Sequence, residues 1–535
     1  MKKILLAVSI QLSAISLFAQ TLNVQEGKVL YQFPAAQTYS MPYENGTSLT
    51  IMGKTFALSE IDSMYVDETA VTDNTVAVVY DGSAASITVA GNIAKDLTIA
   101  YSGAHVSIVQ SADVAQEITY TLSGSSMDGG FYNEGSYKAT VELNNLVLTN
   151  VSATYSGAAI HIQNSKRIKI KPMSGTTNTL VDAASGEQKG CLYVKGHAEF
   201  AQKGTLNVTG NVKHGIKCGE YFQIKNSTIN ILGAAGDGIN CEQFFLMESG
   251  TISIKNVADD GLQCDLEDPD TGSTGITTDH EDEDSGNIYF SGGSFTAAVT
   301  ADAAKGMKSE GDMYISGGTI NVTTSGAGGE GIESKKTLTV NDGHITVNAF
   351  DDGINCSSDM TINGGYIFVK GAKNDAMDAN GNMYVKGGLI YAIGATSPEV
   401  ALDANTEQGK KLYIQGGTII AVGNLEGGAQ ISGGTCKYTT SWNATSWYAL
   451  YNGSELVAAF KTPSKTTSGG GGGPGGGGGS QKLVVYTSST PTLKSGVTVS
   501  DGTEYFDGMA NIGGSVTGGT NVTLSNYSSG GSFGW

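Results

Sequence analysis

The sequence is poor in the features that usually announce a function. Only 15% of its 535 residues are charged, and 31 lysines and arginines face 51 aspartates and glutamates, a formal net charge of −20. So acidic a chain is a poor electrostatic match for nucleic acid or an anionic membrane. The 6 histidines are scattered and the 6 cysteines form no C-x-x-C, which argues against a zinc centre. Tryptophan (3) and proline (8) are sparse. Beyond residue 19 no run of 18 apolar residues occurs, so no further helical membrane span is expected. What is abundant is glycine: 75 residues, about 14% against an average of roughly 7%. With 39% hydrophobic residues the chain can still bury a core.

Residues 1–19 have the form of a secretory signal, with Lys2 and Lys3 before the apolar stretch Ile4 to Phe18 and a small-residue cleavage site at Ala19. No cysteine follows that site, so a lipid anchor is not expected. The mature chain is expected to be exported, secreted or held at the cell surface, as a monomer.

An internal repeat sets the fold. Blocks of the form D-G-I-x-C begin at His214, Asp237, Asp260, Lys305, Glu330 and Asp352, with degenerate copies at Asp375 and Val400. Successive spacings are 23, 23, 45, 25, 22, 23 and 25 residues, the longest being one period plus an insertion. Each period holds three short runs of alternating polarity, with Gly-Gly between the second and third at 292–293, 317–318, 364–365, 387–388 and 416–417. Such runs are too short for helices and read as strands. Strands of three to five residues at this period fit an all-β parallel β-helix, in which each coil pairs with those above and below at about 4.8 Å.

The expected organisation is a small β module over 20–75, the β-helix over 76–435, and a β-rich segment over 436–535 interrupted by a glycine-rich loop at 469–479. Cys218, Cys241, Cys264 and Cys356 share one repeat position, with serine at the intervening coils. An inward ladder of small residues accounts for them, although neighbouring coils would also allow a disulfide.

Acidic residues gather at the coil corners. Asp259-Asp260 and Asp351-Asp352 are adjacent pairs, Asp237 lies one coil before the first, and Glu330 and Asp375 flank the second. Carboxylates stacked this closely repel one another unless a cation joins them, and Ca2+ takes six to eight oxygens. The competing reading is that each corner aspartate bonds its own turn. Glu333, Asn355, Asp378 and Asp403, outward on the first strand, add either ligands or a solvated polar face. Nine of the twenty residues from Asp265 to Asp284 are acidic, a run that is either solvated or closes over a cation at the first pair.

The third feature is aromatic. Phe245, Tyr289, Tyr314, Tyr384 and Tyr413 are read as outward on the second strand of their coils, with Phe368 and Tyr391 outward on the third. Sugar rings stack on such side chains and tyrosine adds a hydrogen-bonding hydroxyl. Strand propensity alone, or a segment covering the ladder, would also produce it.

The stretch V-E-L-N-N-L-V-L-T-N-V-S-A-T-Y-S-G-A-A-I-H-I-Q-N-S-K-R-I-K-I-K-P-M-S-G-T-T-N-T-L-V-D-A (141–183), the G-G-T-I-x-V coils and A-L-D-A-N…Y-I-Q-G-G-T-I-I-A-V-G (401–423) resemble a secreted carbohydrate-binding family with a right-handed parallel β-helix, similar in fold to family 9 pectate lyases. The resemblance implies calcium on the coils and binding of plant-type polysaccharide such as cellulose or pectic fragments. In the similar lyases calcium acidifies the proton alpha to a uronate carboxylate and a lysine removes it. Carried onto this chain, that pattern sets metal at Asp237, Asp259 and Asp260 and a base at Lys305 or Lys308. Gln263 stands where the pattern wants another aspartate. The favoured expectation is therefore a non-catalytic, calcium-stabilised polysaccharide-binding protein, with a calcium-dependent lyase and a surface adhesin as alternatives.

Overall fold

A computed structural model describes residues 20–266, 284–396, 398–465 and 481–528. The signal-like residues 1–19, the glycine run 469–479 and most of the acidic insertion lie outside them. The chain winds into a parallel β-solenoid of about 12 turns with 3% helix.

First strands of successive coils form a twelve-stranded sheet, and second and third strands form a larger one bent around the Gly-Gly corner. Registration is residue to residue: Ile239 pairs with Leu262, Leu262 with Met307, Met307 with Ile332, and Ile332 with Ile354. Every one of these side chains points inward and is fully buried. Repetition of one buried apolar side chain per position, each worth roughly 1.5–3 kcal/mol, is what makes the coil length periodic. The cysteine column is superposed as expected: Cys241 pairs with Cys264, and Ser309, Ser334 and Cys356 continue the line. All six thiols are free and buried.

The Gly-Gly corner shows why glycine is used there. Gly293, Gly318, Gly365, Gly388 and Gly417 all have φ between +79° and +91°, and a Cβ on any of them would meet backbone of the preceding coil within 3.0 Å. No L-side chain fits both conditions cheaply.

Both ends of the open core are covered. Val29–Pro34 pairs in parallel with Ala84–Ala90 and antiparallel with Thr21–Glu26, so the N-terminal strands continue the first coils. At the other end Leu483–Thr487 pairs antiparallel with both Thr418–Val422 and Thr435–Thr439. The remaining C-terminal strands make a six-stranded antiparallel sheet. Its Phe460, Leu493 and Phe506 form a second core with Phe368, Tyr391, Ile420 and Val422 of the solenoid. The C-terminal segment is thus both cap and packed module.

Candidate functional site

The corners following the third strands bring carboxylates together in two places. Ligand oxygens of Asp237, Asp259 and Asp260 lie within 4.8 Å of one another. Asp237 and Asp260 are buried and Asp259 is exposed. The repeat stacks them so that Asp237 Oδ1 accepts the backbone N–H of Asp260 (3.2 Å) and Asp260 Oδ1 accepts that of Lys305 (2.6 Å). Asp237 Oδ2 accepts from Asn240 (2.7 Å). Burial, followed by the charges of Asp260 and Asp259, pushes Asp237 up to about 7, and burial pushes Asp260 up to about 6. Next to them burial drives His214 down to about 3.

The second cluster joins Asp375 to Asp378 and Asp403, again within 4.8 Å. Here Asp352 Oδ1 accepts the Asp375 N–H (2.9 Å), and Asp375 in turn accepts that of Val400. Burial, then the neighbouring Asp378 and Asp375, pushes Asp352 up to about 8, and burial raises Asp375 to about 7. Asp378 and Asp403 are raised as well, first by burial. Glu330 is pushed up to about 7 by burial and Glu333. Among the described residues Glu330, Asp351 and Asp352 join no such three-ligand group. They stand between the two clusters, and the Glu330 charge is among those that raise Asp352.

Lys305 and Lys308 separate the two acidic regions. Lys305 donates through Nζ to Ala303 O (2.7 Å). Lys308 pairs with Glu310 at 3.1 Å. Burial lowers the Lys308 ammonium, but Glu310, Asp260 and Glu333 outweigh it and leave the group raised. A lysine acting as a base needs the opposite shift.

The aromatic residues divide. Tyr289 and Tyr314 pair in register and stack at 5.4 Å with planes 6° apart; Tyr384 and Tyr413 do the same at 5.0 Å and 8°. Thr339 and Thr361 separate the two pairs in the same column. All four tyrosines are partly exposed, and Lys386 Nζ sits 5.5 Å from the Tyr384 ring. Phe245 is not in this column. It is fully buried and stacks on Phe222 at 5.3 Å, while Phe244 and Leu246 point outward. Two adjacent phenylalanines fit either phase of the alternation, and pairing with Ile288 decides it. Phe368 and Tyr391 do leave the solenoid core, but the C-terminal sheet covers them: Phe506 stacks on Phe368 at 5.5 Å, and Tyr391 donates to Lys461 O (2.8 Å). Neither is accessible to a polymer.

One group was missed in the sequence. In the earlier coils the outward column of the first sheet holds Tyr132, His161 and Tyr193, paired in register. Irregular coil lengths and the absence of the D-G-I block hide this alignment.

Comparison with known proteins bears on this arrangement. No curated protein matches the chain. Among solved structures, a polysaccharide lyase-like protein from C. thermocellum, determined as a gadolinium derivative, is similar over 50% of this chain and 96% of its own, at 19% identity and a TM-score of 0.39. The model of the carbohydrate-binding domain-containing protein family matches residues 102–376, a span that includes Tyr132 to Tyr314 and the first acidic cluster but stops before Tyr384 and Tyr413. That span is half of the chain, and the protein belongs to this carbohydrate-binding family.

Proposed function

We propose that this is an exported, calcium-stabilised protein that binds plant-type polysaccharide, cellulose or pectin-like, without cleaving it. The observation that carries the calcium reading is the meeting of Asp237, Asp259 and Asp260 with their ligand oxygens within 4.8 Å, two of the three buried. Buried carboxylates this close remain ionised near neutral pH only beside a positive charge. All the donors are oxygens, the ligand type that hard cations take. Asp237, Asp259 and Asp260 would hold one ion, and Asp375 with Asp378 and Asp403 another. Bound there, calcium would neutralise the corner charge and offer coordination sites to sugar hydroxyls or carboxylates. Glu330, Asp351 and Asp352 would tune the field between the two sites.

Polysaccharide contact is assigned to the second-strand face, where Tyr289, Tyr314, Tyr384 and Tyr413 present ring surface and hydroxyls along the solenoid axis. The raised Lys308 supports binding without elimination. Pull-down on cellulose and on pectin, with and without calcium, tests this reading. Retention of the chain on at least one polymer is expected, and failure to bind either would leave an adhesin without sugar specificity.

A further inference from the structure

Lysine is seldom buried unless it is paired, and Lys217 is buried in the wall of the solenoid. It lies in the outward column of the first sheet, in register with Tyr193 of the preceding coil and Asn240 of the following one. Its Nζ donates to Asn240 Oδ1 (2.6 Å) and to Glu242 Oε1 (2.5 Å). Asn240 is buried as well, and two acceptors fix the orientation of its amide. Nδ2 donates to Asp237 Oδ2 (2.7 Å) and to Asp265 Oδ2 (3.1 Å), so the carbonyl is turned toward the lysine. Gln263 follows Asn240 in the same column. Lys305, Lys308 and Lys335 meet a backbone carbonyl, Glu310 and Glu333 respectively.

An amine, a carboxamide and a carboxylate thus meet at one nitrogen. A carbonyl bond is about 1.2 Å long, so Nζ stands no more than about 3.8 Å from Asn240 Cγ, near the roughly 3–3.5 Å at which atoms react. Strand pairing holds the two side chains opposite each other, which replaces a collision by an intramolecular encounter. Glu242 is placed to take a proton from Nζ, and an adjacent base is what turns a lysine into a nucleophile. Burial of the amide limits the water that would compete for it. Glu242 remains partly exposed and gives the leaving nitrogen a way out.

We infer that Lys217 and Asn240 join in an isopeptide bond that the protein forms on itself and that staples two adjacent coils. The Nζ–Cγ bond forms and the Cγ–Nδ2 bond breaks. Of the three ammonium protons, one stays on the new amide and two pass by way of Glu242 to the departing nitrogen, which leaves as ammonium. No oxidant, cofactor or second substrate enters. Each coil of a solenoid is held only by its neighbours, so a covalent tie between two of them opposes opening at that point. The tie also fixes the coil that carries Asp237. It requires neither calcium nor glycan and stands apart from the proposed function.

The test is tryptic peptide mapping by tandem mass spectrometry of the full mature chain, freshly purified and after prolonged incubation. Wild type is compared with Lys217→Arg, Asn240→Ala and Glu242→Gln, each checked for folding by circular dichroism. Trypsin does not cut after an acylated lysine. Expected from wild type is therefore one branched product in which 214–225, uncut at Lys217, is joined to 226–255 and is lighter than the two by one ammonia. Lys217→Arg and Asn240→Ala should release separate peptides, and Glu242→Gln should form the link more slowly or not at all. Cyclisation of a new N-terminal Gln20 also releases ammonia, so the joined peptide and not the intact mass decides. Cleavage after Lys217 in wild type, with 226–255 recovered at its full mass after incubation, overturns the inference. A link that forms unchanged in Glu242→Gln overturns the role given to Glu242.

Discussion

Asp237 Oδ1 accepts the backbone N–H of Asp260, 3.2 Å away and one coil further along. The same bond recurs from Asp260 to Lys305 and from Asp352 to Asp375. Each aspartate therefore fixes the backbone of the next corner rather than its own turn. This removes the opposition between turn chemistry and cation binding. One carboxylate oxygen maintains the ladder, and in the first cluster an exposed third carboxylate, Asp259, joins from the adjoining position.

The buried carboxyls make metal-free stability depend on pH. Asp237, Asp260, Asp352 and Asp375 are raised from 3.8 to about 7, 6, 8 and 7. A raised carboxyl keeps its proton in the folded chain where the unfolded chain has lost it, so the folded state binds more protons and its stability falls as pH rises. In chelator, the melting temperature is expected to decline progressively between about pH 4 and pH 8. Protons and metal compete for the same oxygens, so the gain on adding calcium should grow over that interval. A chelated melting temperature that climbs across it would contradict the assignment.

Phe244 and Phe245 are adjacent but opposite in consequence. Phe245→Ala removes a ring from the interior stack and is expected to cost about 3–5 kcal/mol. Phe244→Ala, on the outward side, should cost less than about 1 kcal/mol. Chemical denaturation of both variants measures the difference, and equal losses would mean that the strand phase is wrong.

Tyr314→Ala and Tyr384→Ala each remove one ring of a stacked pair. A sugar–aromatic contact of the size of an aromatic pair, about 0.5–1.5 kcal/mol, implies a roughly two- to tenfold weaker hold on the polymer in pull-down or affinity electrophoresis, with little change in stability. Binding unchanged in both variants would move the contact away from this face.

Lys308 is held protonated by Glu310, Asp260 and Glu333. Incubation with pectate and calcium is accordingly expected to release no unsaturated uronide, read as absorbance, from wild type or from Lys305→Ala. Product from wild type that disappears in Lys305→Ala or in Lys308→Ala would make the protein a lyase.

The solenoid was legible because it repeats: a cysteine or serine, a Gly-Gly pair and a corner acid that recur in most coils reveal the register without coordinates. Tyr289 and Tyr314, or Tyr384 and Tyr413, are found in the same way, since each stands three residues before a Gly-Gly pair. Three things were not legible. The phase of Phe244-Phe245 is symmetric in hydrophobicity. The covering of Phe368 and Tyr391 depends on a C-terminal sheet more than fifty residues distant, which local pattern does not locate. The Tyr132–His161–Tyr193 column lies in coils of unequal length, where alignment is set by three-dimensional pairing rather than by count.

The most direct measurement is a calorimetric titration of chelator-stripped protein with calcium near neutral pH, for wild type and Asp260→Asn. Saturable binding by wild type and loss of one class of site in Asp260→Asn, with the second class intact, is the result this account predicts. A featureless wild-type titration, or an Asp260→Asn variant that binds as wild type does, would contradict it.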